Sequence, residues 1–274
     1  GFDSRSRFEF VELMNISSGT IDLTNVRFAD GISFNFTESL TGVVLAAGER
    51  IVIVNDSAAF SHRYPAVPAA AIAGEFTGNL SDGGEALLLV ATDETAIRSF
   101  TYGDLPPWSA AADGPGPSLV LIHPGGNPNH ADPLNWRSSV SAGGNPDASD
   151  ATVFAGNANA DSDSNGLPDL IDYVLGNRFL PEEARPIGGI EASEVEEVTE
   201  DYFTFSYRRN LAADDVIDFV EVSGDLENWN SGSEYIVPVT TVNLGDGTVL
   251  VTWRAAQPID RAPQLYFRLR SQIR

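Results

Sequence analysis

The chain has 274 residues, of which 39 are acidic and 16 are basic, all of the latter arginine, so its formal net charge is −23. This negative charge argues against nucleic acid and anionic membrane surfaces as partners, and no apolar run approaches the ~18 residues that membrane insertion needs. The sequence contains no cysteine, which excludes disulfides, zinc–thiolate sites and cysteine nucleophiles.

Residues 8–122 consist of short apolar runs separated by turn-forming residues, and none of these windows has a helical period. The alternation of side chains in Phe8–Leu13 predicts a strand. Further strands are predicted at Val26–Phe28, Ile51–Val54, Ala86–Val90, Ile97–Tyr102 and Ser118–Ile122. The Asp-Gly and Gly-Gly pairs between these runs are typical of turns. The pattern predicts an all-β sandwich or barrel.

Several motifs of this region occur in a characteristic order. They are Phe8–Asn15, Ile21–Phe28, Leu45–Val54, Gly78–Glu85 and Asn135–Ser139. In this order they resemble the motifs of lamin-tail domains, and the resemblance extends over residues 8–148. It implies an immunoglobulin-like β-sandwich.

Lamin-tail domains usually begin with an Ile/Val-rich strand, whereas the residues before Phe8 are mainly polar. An uncovered edge strand is prone to pair with another chain. We therefore expect another segment or another chain to cover the edge beside Phe8–Leu13. The chromatin association of nuclear family members is not expected here, because this region is itself negatively charged.

The next region contains the motif with the clearest chemistry, the run Asp161–Asp172. Oxygen-bearing side chains stand at loop positions 1, 3, 5, 9 and 12 of this run, with glycine at position 6, which is the spacing of a calcium loop. The predicted ligands are the side chains of Asp161, Asp163, Asn165, Asp169 and Asp172 and the carbonyl oxygen of Leu167. The alternative is an acidic turn without a metal ion.

The details of this loop favour a structural calcium site. The loop resembles the half-hands of dockerins and thrombospondin-type repeats, since no helix is predicted before it. Pro168 lacks the N–H group that normally pairs with a second loop, and Asp172 replaces the bidentate glutamate of sensor EF-hands. A calcium affinity on the order of 10⁻⁴–10⁻³ M, which is typical of extracellular modules, then indicates a secreted or cell-surface protein.

Around the loop, a short helix is predicted at Leu167–Leu175 and ends at Gly176. The acidic stretch Pro181–Asp201 is interpreted as a solvated linker or a ragged edge and not as a site. Strands are predicted again at Tyr202–Tyr207, Phe219–Ser223, Tyr235–Val239, Val249–Trp253 and Gln264–Leu269, with a hairpin turn at Leu244–Thr248. Val220–Trp229 and Tyr266–Arg270 resemble C-terminal modules of large exported bacterial proteins.

Catalytic residues are not predicted. The three histidines His62, His123 and His130 have neither zinc-helix spacing nor that of a nucleophile–base pair. The tryptophans are expected to be mainly structural, although an exposed one could stack on a sugar ring.

These observations predict a lamin-tail-like β-sandwich at 1–148, a calcium-loop connector at 149–201 and a small C-terminal β domain at 202–274. We expect a non-catalytic, calcium-stabilised region of a larger exported bacterial protein, mediating domain orientation and adhesion or partner contact. The expected partners are calcium, other domains of the parent protein, and a surface polysaccharide or a protein. The alternatives are a carbohydrate-binding accessory module of a secreted hydrolase, or a hydrolase itself.

Overall fold

The computed structural model describes residues 4–41, 43–112, 116–176, 185–262 and 264–274. The chain divides into two compact units. The first comprises Gly1–Trp108 and Ala112–Asp150, and the second comprises Ser109–Ala111 and Ala151–Arg274. No helix in the described ranges is long and apolar enough to cross a membrane.

The first unit is built from short strands. They are β1 (Phe10–Met14), β2 (Ile21–Asp22), β3 (Arg27–Asp30), β4 (Phe34–Asn35), β5 (Val44–Leu45), β6 (Arg50–Val54), β7 (Ile72–Glu75), β8 (Ala86–Val90), β9 (Ala96–Thr101), β10 (Pro117–Leu121) and β11 (Trp136–Ala142). The larger sheets have the orders β1-β6-β7 and β4-β3-β8-β9, and β2-β5 and β10-β11 form two further pairs. Among these pairings only β6 and β7 run parallel. The predicted all-β, immunoglobulin-like class is confirmed.

Strand β6 is buried on both faces, which explains its continuous apolar sequence. Ile51 and Ile53 pack into the main core with aromatic residues such as Phe34, whereas Val52 and Val54 face a second cluster around Phe60. Phe60 belongs to helix α1 (Ser57–Arg63), which therefore covers the second face of the sheet.

Residues 8–122 contain a helix, although no window of their sequence has a helical period. Helix α1 is capped by Asp56, whose carboxylate accepts a hydrogen bond from the Ala59 N–H at 2.8 Å. Its seven residues make about two turns, which is too short to give a helical period in the sequence. A correction concerns the first strand, because Arg5–Phe8 forms a 3-10 turn and the strand begins at Phe10.

The outer edge of β1 was expected to be covered. Within the described ranges, β1 pairs only with β6, from Phe10↔Val54 to Met14↔Arg50. No described segment of this chain therefore supplies the neighbouring strand. Coverage by a second chain stays a prediction.

The second unit contains one short helix and longer strands. They are α2 (Asp169–Leu175), β12 (Ile187–Val195), β13 (Val198–Asn210), β14 (Val216–Ser223), β15 (Ile236–Asn243), β16 (Thr248–Ala255) and β17 (Tyr266–Ile273). The sheets have the orders β12-β13-β16-β15 and β14-β17, and all pairs are antiparallel. The predicted short helix, its end at Gly176 and the β15–β16 hairpin are confirmed.

The acidic stretch before β13 is not a linker in its described part. Residues Ile187–Val195 form β12, which pairs with β13 from Ile187↔Ser206 to Val195↔Val198. The residues of β12 are nevertheless largely exposed, and Ile187 retains 65% of its accessible surface. The described part of the stretch is thus exposed to solvent and also forms a β-strand. Residues 181–184 lie outside the described residues.

Candidate metal-binding loop

The Asp161–Asp172 loop leads directly into helix α2. The Asp169 N–H donates to the Ala160 carbonyl at 2.7 Å, which closes the loop at its base. Ser164 and Gly166 have φ angles of 61° and 88°, so the chain turns sharply in the left-handed region at these two positions. This conformation is easy for glycine and explains why position 6 of the motif requires it.

Helix α2 is anchored in the core of the second unit. Val174 is fully buried and packs in a cluster with Leu170, Tyr173 and Val216. The Tyr173 hydroxyl also donates to a carboxylate oxygen of Asp215 at 2.8 Å. Burial, together with the Asp215 carboxylate, raises the pKa of Tyr173 to about 12, so the hydroxyl stays protonated. The loop is therefore continuous in sequence with a packed helix.

Asn165 lies at the centre of the loop. Its side-chain Nδ2 donates to Asp163 Oδ2 at 3.1 Å and to Asp172 Oδ1 at 3.0 Å. Its backbone N–H donates to Asp161 Oδ1 at 3.0 Å, and its Oδ1 accepts from the Leu167 N–H at 2.7 Å. The structure thus brings five of the six predicted ligand residues into one hydrogen-bonded network.

The sixth residue, Asp169, faces a different partner. Its two carboxylate oxygens accept from the Ser162 N–H at 2.8 Å and from the Ser162 hydroxyl at 2.7 Å, and these bonds lower the pKa of Asp169. The role of Ser162 was not predicted from the sequence. The feature that could have indicated this role is a hydroxyl side chain between two aspartates, since such residues often form local hydrogen bonds between side chain and backbone.

The carboxylates of the loop repel one another. The pKa of Asp172 is raised, chiefly by burial and additionally by the charges of Asp163, Asp161 and Asp169, against the lowering effect of the Asn165 hydrogen bond. In the described part of the chain, no arginine pairs with any of these four carboxylates. The loop therefore concentrates negative charge without a basic side chain to balance it.

The donor chemistry of the loop suits a hard cation, because four carboxylates and an amide oxygen are available within this one loop. In the structure each of these side chains accepts a hydrogen bond from an N–H group, and Asp169 also accepts one from the Ser162 hydroxyl. The partial positive charge of Asn165 Nδ2 lies between two carboxylates. Among the residues described, no three His, Cys, Asp or Glu side chains are arranged to hold a metal ion. The calcium site stays a prediction.

The three histidines lie in different elements of the first unit. His62 is exposed on α1, and His123 starts a 3-10 turn after β10. His130 packs at 5.4 Å from Phe100 and 5.8 Å from Trp136, measured between ring centroids. Burial lowers the pKa of His130, which keeps its imidazole neutral. The indole of Trp136 donates to the His130 carbonyl at 2.8 Å, so this tryptophan has a packing role.

Two all-β units, the first an immunoglobulin-like sandwich, define the class of this protein as a β-sandwich module. Residues 1–104 match the family model described as Lamin Tail Domain. The match confirms the predicted resemblance for those residues, and the predicted extension to residue 148 lies beyond the matched range. No curated protein and no solved structure matches the chain significantly.

Proposed function

We propose that this chain is a non-catalytic structural and interaction region of a secreted or cell-surface protein, and that calcium stabilises its second unit. The match to the lamin tail domain supports the first part, because domains of this family are typically non-enzymatic. The aromatic cluster around Trp136 also supports it, since these rings pack against one another.

One observation carries the calcium proposal, namely the unbalanced charge of the Asp161–Asp172 loop. The pKa of Asp172 is raised by burial and by three neighbouring carboxylates, so ionisation of this group works against the folded loop. A divalent cation removes this penalty. The residues that would hold it are Asp161, Asp163, Asn165, Asp169 and Asp172, with the Leu167 carbonyl.

The position of the loop determines what calcium would stabilise. Helix α2 follows the loop directly and packs on Ala213 and Val216 of the second unit. The Asn210 side chain donates to the Tyr173 carbonyl at 3.1 Å, which ties the helix to β13. The free energy of calcium binding therefore adds to the folding free energy of this unit. Weak sites of this kind are filled at extracellular calcium concentrations, which supports the secreted location.

Calorimetric melting of the full chain tests the proposal. We expect a higher melting temperature in calcium than in chelator, with magnesium far less effective because it needs a tighter octahedral site. Asp163→Ala is expected to melt in calcium as the native chain does in chelator. Asp260→Asn is the matched control, since Asp260 is an exposed acid outside the loop, and it should respond to calcium like the native chain. Identical curves in calcium and chelator for the native chain would contradict the proposal.

A further inference from the structure

A second charged surface lies on the sheet formed by β14 and β17. The register places Phe219 opposite Arg270, and Glu221 opposite Arg268. Residues two apart on a strand point to the same face, so these four side chains share one face of the sheet. We call this set, together with Trp229, the arginine face.

The two arginines of this face are held by one carboxylate. Glu221 Oε2 accepts from Arg268 Nε at 2.6 Å, and Glu221 Oε1 accepts from Arg270 Nε at 3.2 Å. The Glu221 side chain is only 10% exposed, whereas both arginine side chains are 45% exposed. Burial raises the pKa of Glu221, but the two guanidinium hydrogen bonds outweigh it and leave that pKa below its usual value. The three ionised groups together carry a net positive charge.

Each of the two guanidinium groups lies over an aromatic ring. The Arg268 guanidinium carbon lies 4.1 Å from the ring centroid of Trp229, and that of Arg270 lies 4.1 Å from the ring centroid of Phe219. Stacking of this kind is favourable for a planar, delocalised cation. Because each Nε is used by Glu221, the Nη groups remain, and they make no hydrogen bond to any described residue.

The loop after β14 holds Trp229 in place. Asp225 accepts hydrogen bonds from the backbone N–H groups of Glu227 and Asn228 at 2.9 and 2.8 Å. The Trp229 indole donates to the Leu226 carbonyl at 3.2 Å. The arginine face is therefore organised in advance, which lowers the entropic cost of binding a ligand.

Strand β17 also has an open edge. It pairs with β14 along its length, from Tyr266↔Ser223 to Ile273↔Val216, and no other described strand pairs with it. An added strand could bond to the backbone groups of that edge. Side chains at alternate positions of such a strand repeat about every 6.5–7 Å, which equals the repeat of Arg268 and Arg270 along β17.

We propose that β17 binds an extended acidic segment of a partner protein, which adds as a strand and places alternate carboxylates on Arg268 and Arg270. Guanidinium groups recognise carboxylates through paired hydrogen bonds, and opposite charges on neighbouring strands stabilise the pairing. The proposal names a partner for the interaction role proposed above and rests on that role. It does not depend on calcium at the Asp161–Asp172 loop.

Titration calorimetry with the full chain tests this inference. The probe is a short peptide in which glutamate alternates with threonine, and its controls are a block peptide of the same composition and an alternating peptide N-methylated at every second residue. We expect the alternating peptide to bind at least about tenfold more tightly than either control. Equal affinity for all three peptides, or no binding by any of them, would overturn strand addition.

Variants locate the site. The triple change Arg268→Gln, Arg270→Gln and Glu221→Gln removes both cations without leaving a buried carboxylate unpaired, and it should weaken peptide binding at least about tenfold. Arg268→Lys with Arg270→Lys keeps the charge but loses the planar fork, and an intermediate loss is expected. Arg254→Gln is the matched control. The Arg254 guanidinium carbon lies 4.4 Å from the ring centroid of Tyr202, elsewhere in the same unit. This variant should bind the peptide with the affinity of the native chain. Full affinity in the triple variant would place binding elsewhere.

Further measurements distinguish the acidic peptide from other ligands of the arginine face. They also distinguish failure of this inference from failure of the calcium proposal. Tighter binding of polygalacturonate than of the alternating peptide would identify an acidic polysaccharide as the occupant and overturn the proposal. A dimer in sedimentation that is lost in the triple variant would identify a second copy instead. Peptide titrations are run in calcium and in chelator. Absence of binding in both, with a normal calcium effect on melting, would reject the inference while leaving the calcium proposal intact.

Discussion

Acidic side chains of the second unit occupy two different electrostatic settings. Asp218 and Glu221 on β14 each face arginine, and the Arg209–Asp218 pair is buried, with side chains only 14% and 6% exposed. The carboxylates of the Asp161–Asp172 loop are close enough for three of them to raise the pKa of Asp172, and they have no arginine partner in the described part of the chain. The same residue type therefore has opposite effects on stability in the two places.

The difference follows from the balance of charge. An ionised carboxylate beside a guanidinium keeps its charge at little cost, because attraction offsets the loss of solvation. A carboxylate among other carboxylates is destabilised by ionisation unless a cation is present. We infer that the stability of the β14–β17 sheet at neutral pH depends little on calcium, whereas the stability of the loop depends on it.

The largest expected effect on stability comes from removing a carboxylate that is paired with arginine. Asp218 accepts from Arg209 Nε at 2.7 Å and from the Ser271 hydroxyl at 2.8 Å, so it joins the end of β13 to β14 and β17. Asp218→Ala leaves the buried Arg209 without its counter-charge, and we expect a loss of about 3–5 kcal/mol in the free energy of unfolding. Urea denaturation followed by circular dichroism measures it.

An exposed pair in the same unit gives the control. Arg261 and Glu200 lie 3.6 Å apart, with side chains 65% and 33% exposed. Arg261→Ala should cost at most about 1 kcal/mol, because water screens such pairs. If Asp218→Ala cost no more than Arg261→Ala, the contrast between balanced and unbalanced carboxylates would be wrong.

The next effect is a smaller change in stability, caused by a substitution in the loop, and its sign depends on whether calcium is present. Asp163→Asn removes one of the repelling charges of the loop but keeps an oxygen acceptor for the Asn165 N–H. In chelator we expect the variant to be as stable as the native chain or a few tenths of a kcal/mol more stable. In about 10 mM calcium it should be less stable by about 1–2 kcal/mol, because the native chain gains binding free energy that the variant lacks.

Melting curves of both proteins in both media provide the measurement. The informative quantity is the difference between variant and native chain, since it cancels the general effect of salt. A loss of stability of equal size in calcium and in chelator would show that Asp163 contributes through its hydrogen bonds alone. The description of the loop as a cluster of negative charges without a compensating cation would then be wrong.

Local patterns in the sequence were sufficient for much of this fold. Ala86–Val90 was predicted as a strand and forms β8 with the same bounds, and Gly176 ends α2 in the left-handed conformation with a φ of 97°. Both features depend on neighbouring residues only, namely an apolar run and a glycine after a helical stretch. The spacing of the loop likewise identified the residues that gather around Asn165.

Features that depend on distant partners could not be predicted in this way. Ile187–Val195 is acidic and rich in glycine, so its own sequence favours solvent, and only pairing with β13 makes it a strand. Trp229 and Arg268 were noted in separate motifs. The β14–β17 register and the bridge between Val222 and Asn230 bring them together. Sequence spacing alone does not supply such a register.

The smallest expected effect is a difference in pH dependence, measured in chelator. The pKa of Glu221 is lowered from 4.5, since its hydrogen bonds to Arg268 and Arg270 outweigh burial, so its contribution is present above the unfolded value and is lost as the pH falls. The pKa of Asp172 is raised from 3.8 by burial and repulsion, so its contribution is present at low pH and is lost as the pH rises through the folded value.

Two variants separate these contributions. Near pH 6, Glu221→Gln should be less stable than the native chain and Asp172→Asn equally or more stable, each by about 1 kcal/mol or less. The difference for Asp172→Asn should shrink towards zero as the pH falls below the raised pKa of Asp172. The difference for Glu221→Gln should shrink only as the pH falls through the lowered pKa of Glu221. Urea denaturation across this pH range measures the two difference curves. If they had the same sign near pH 6, the carboxylates of β14 and of the loop would share one electrostatic setting, and calcium would have no unbalanced charge to offset.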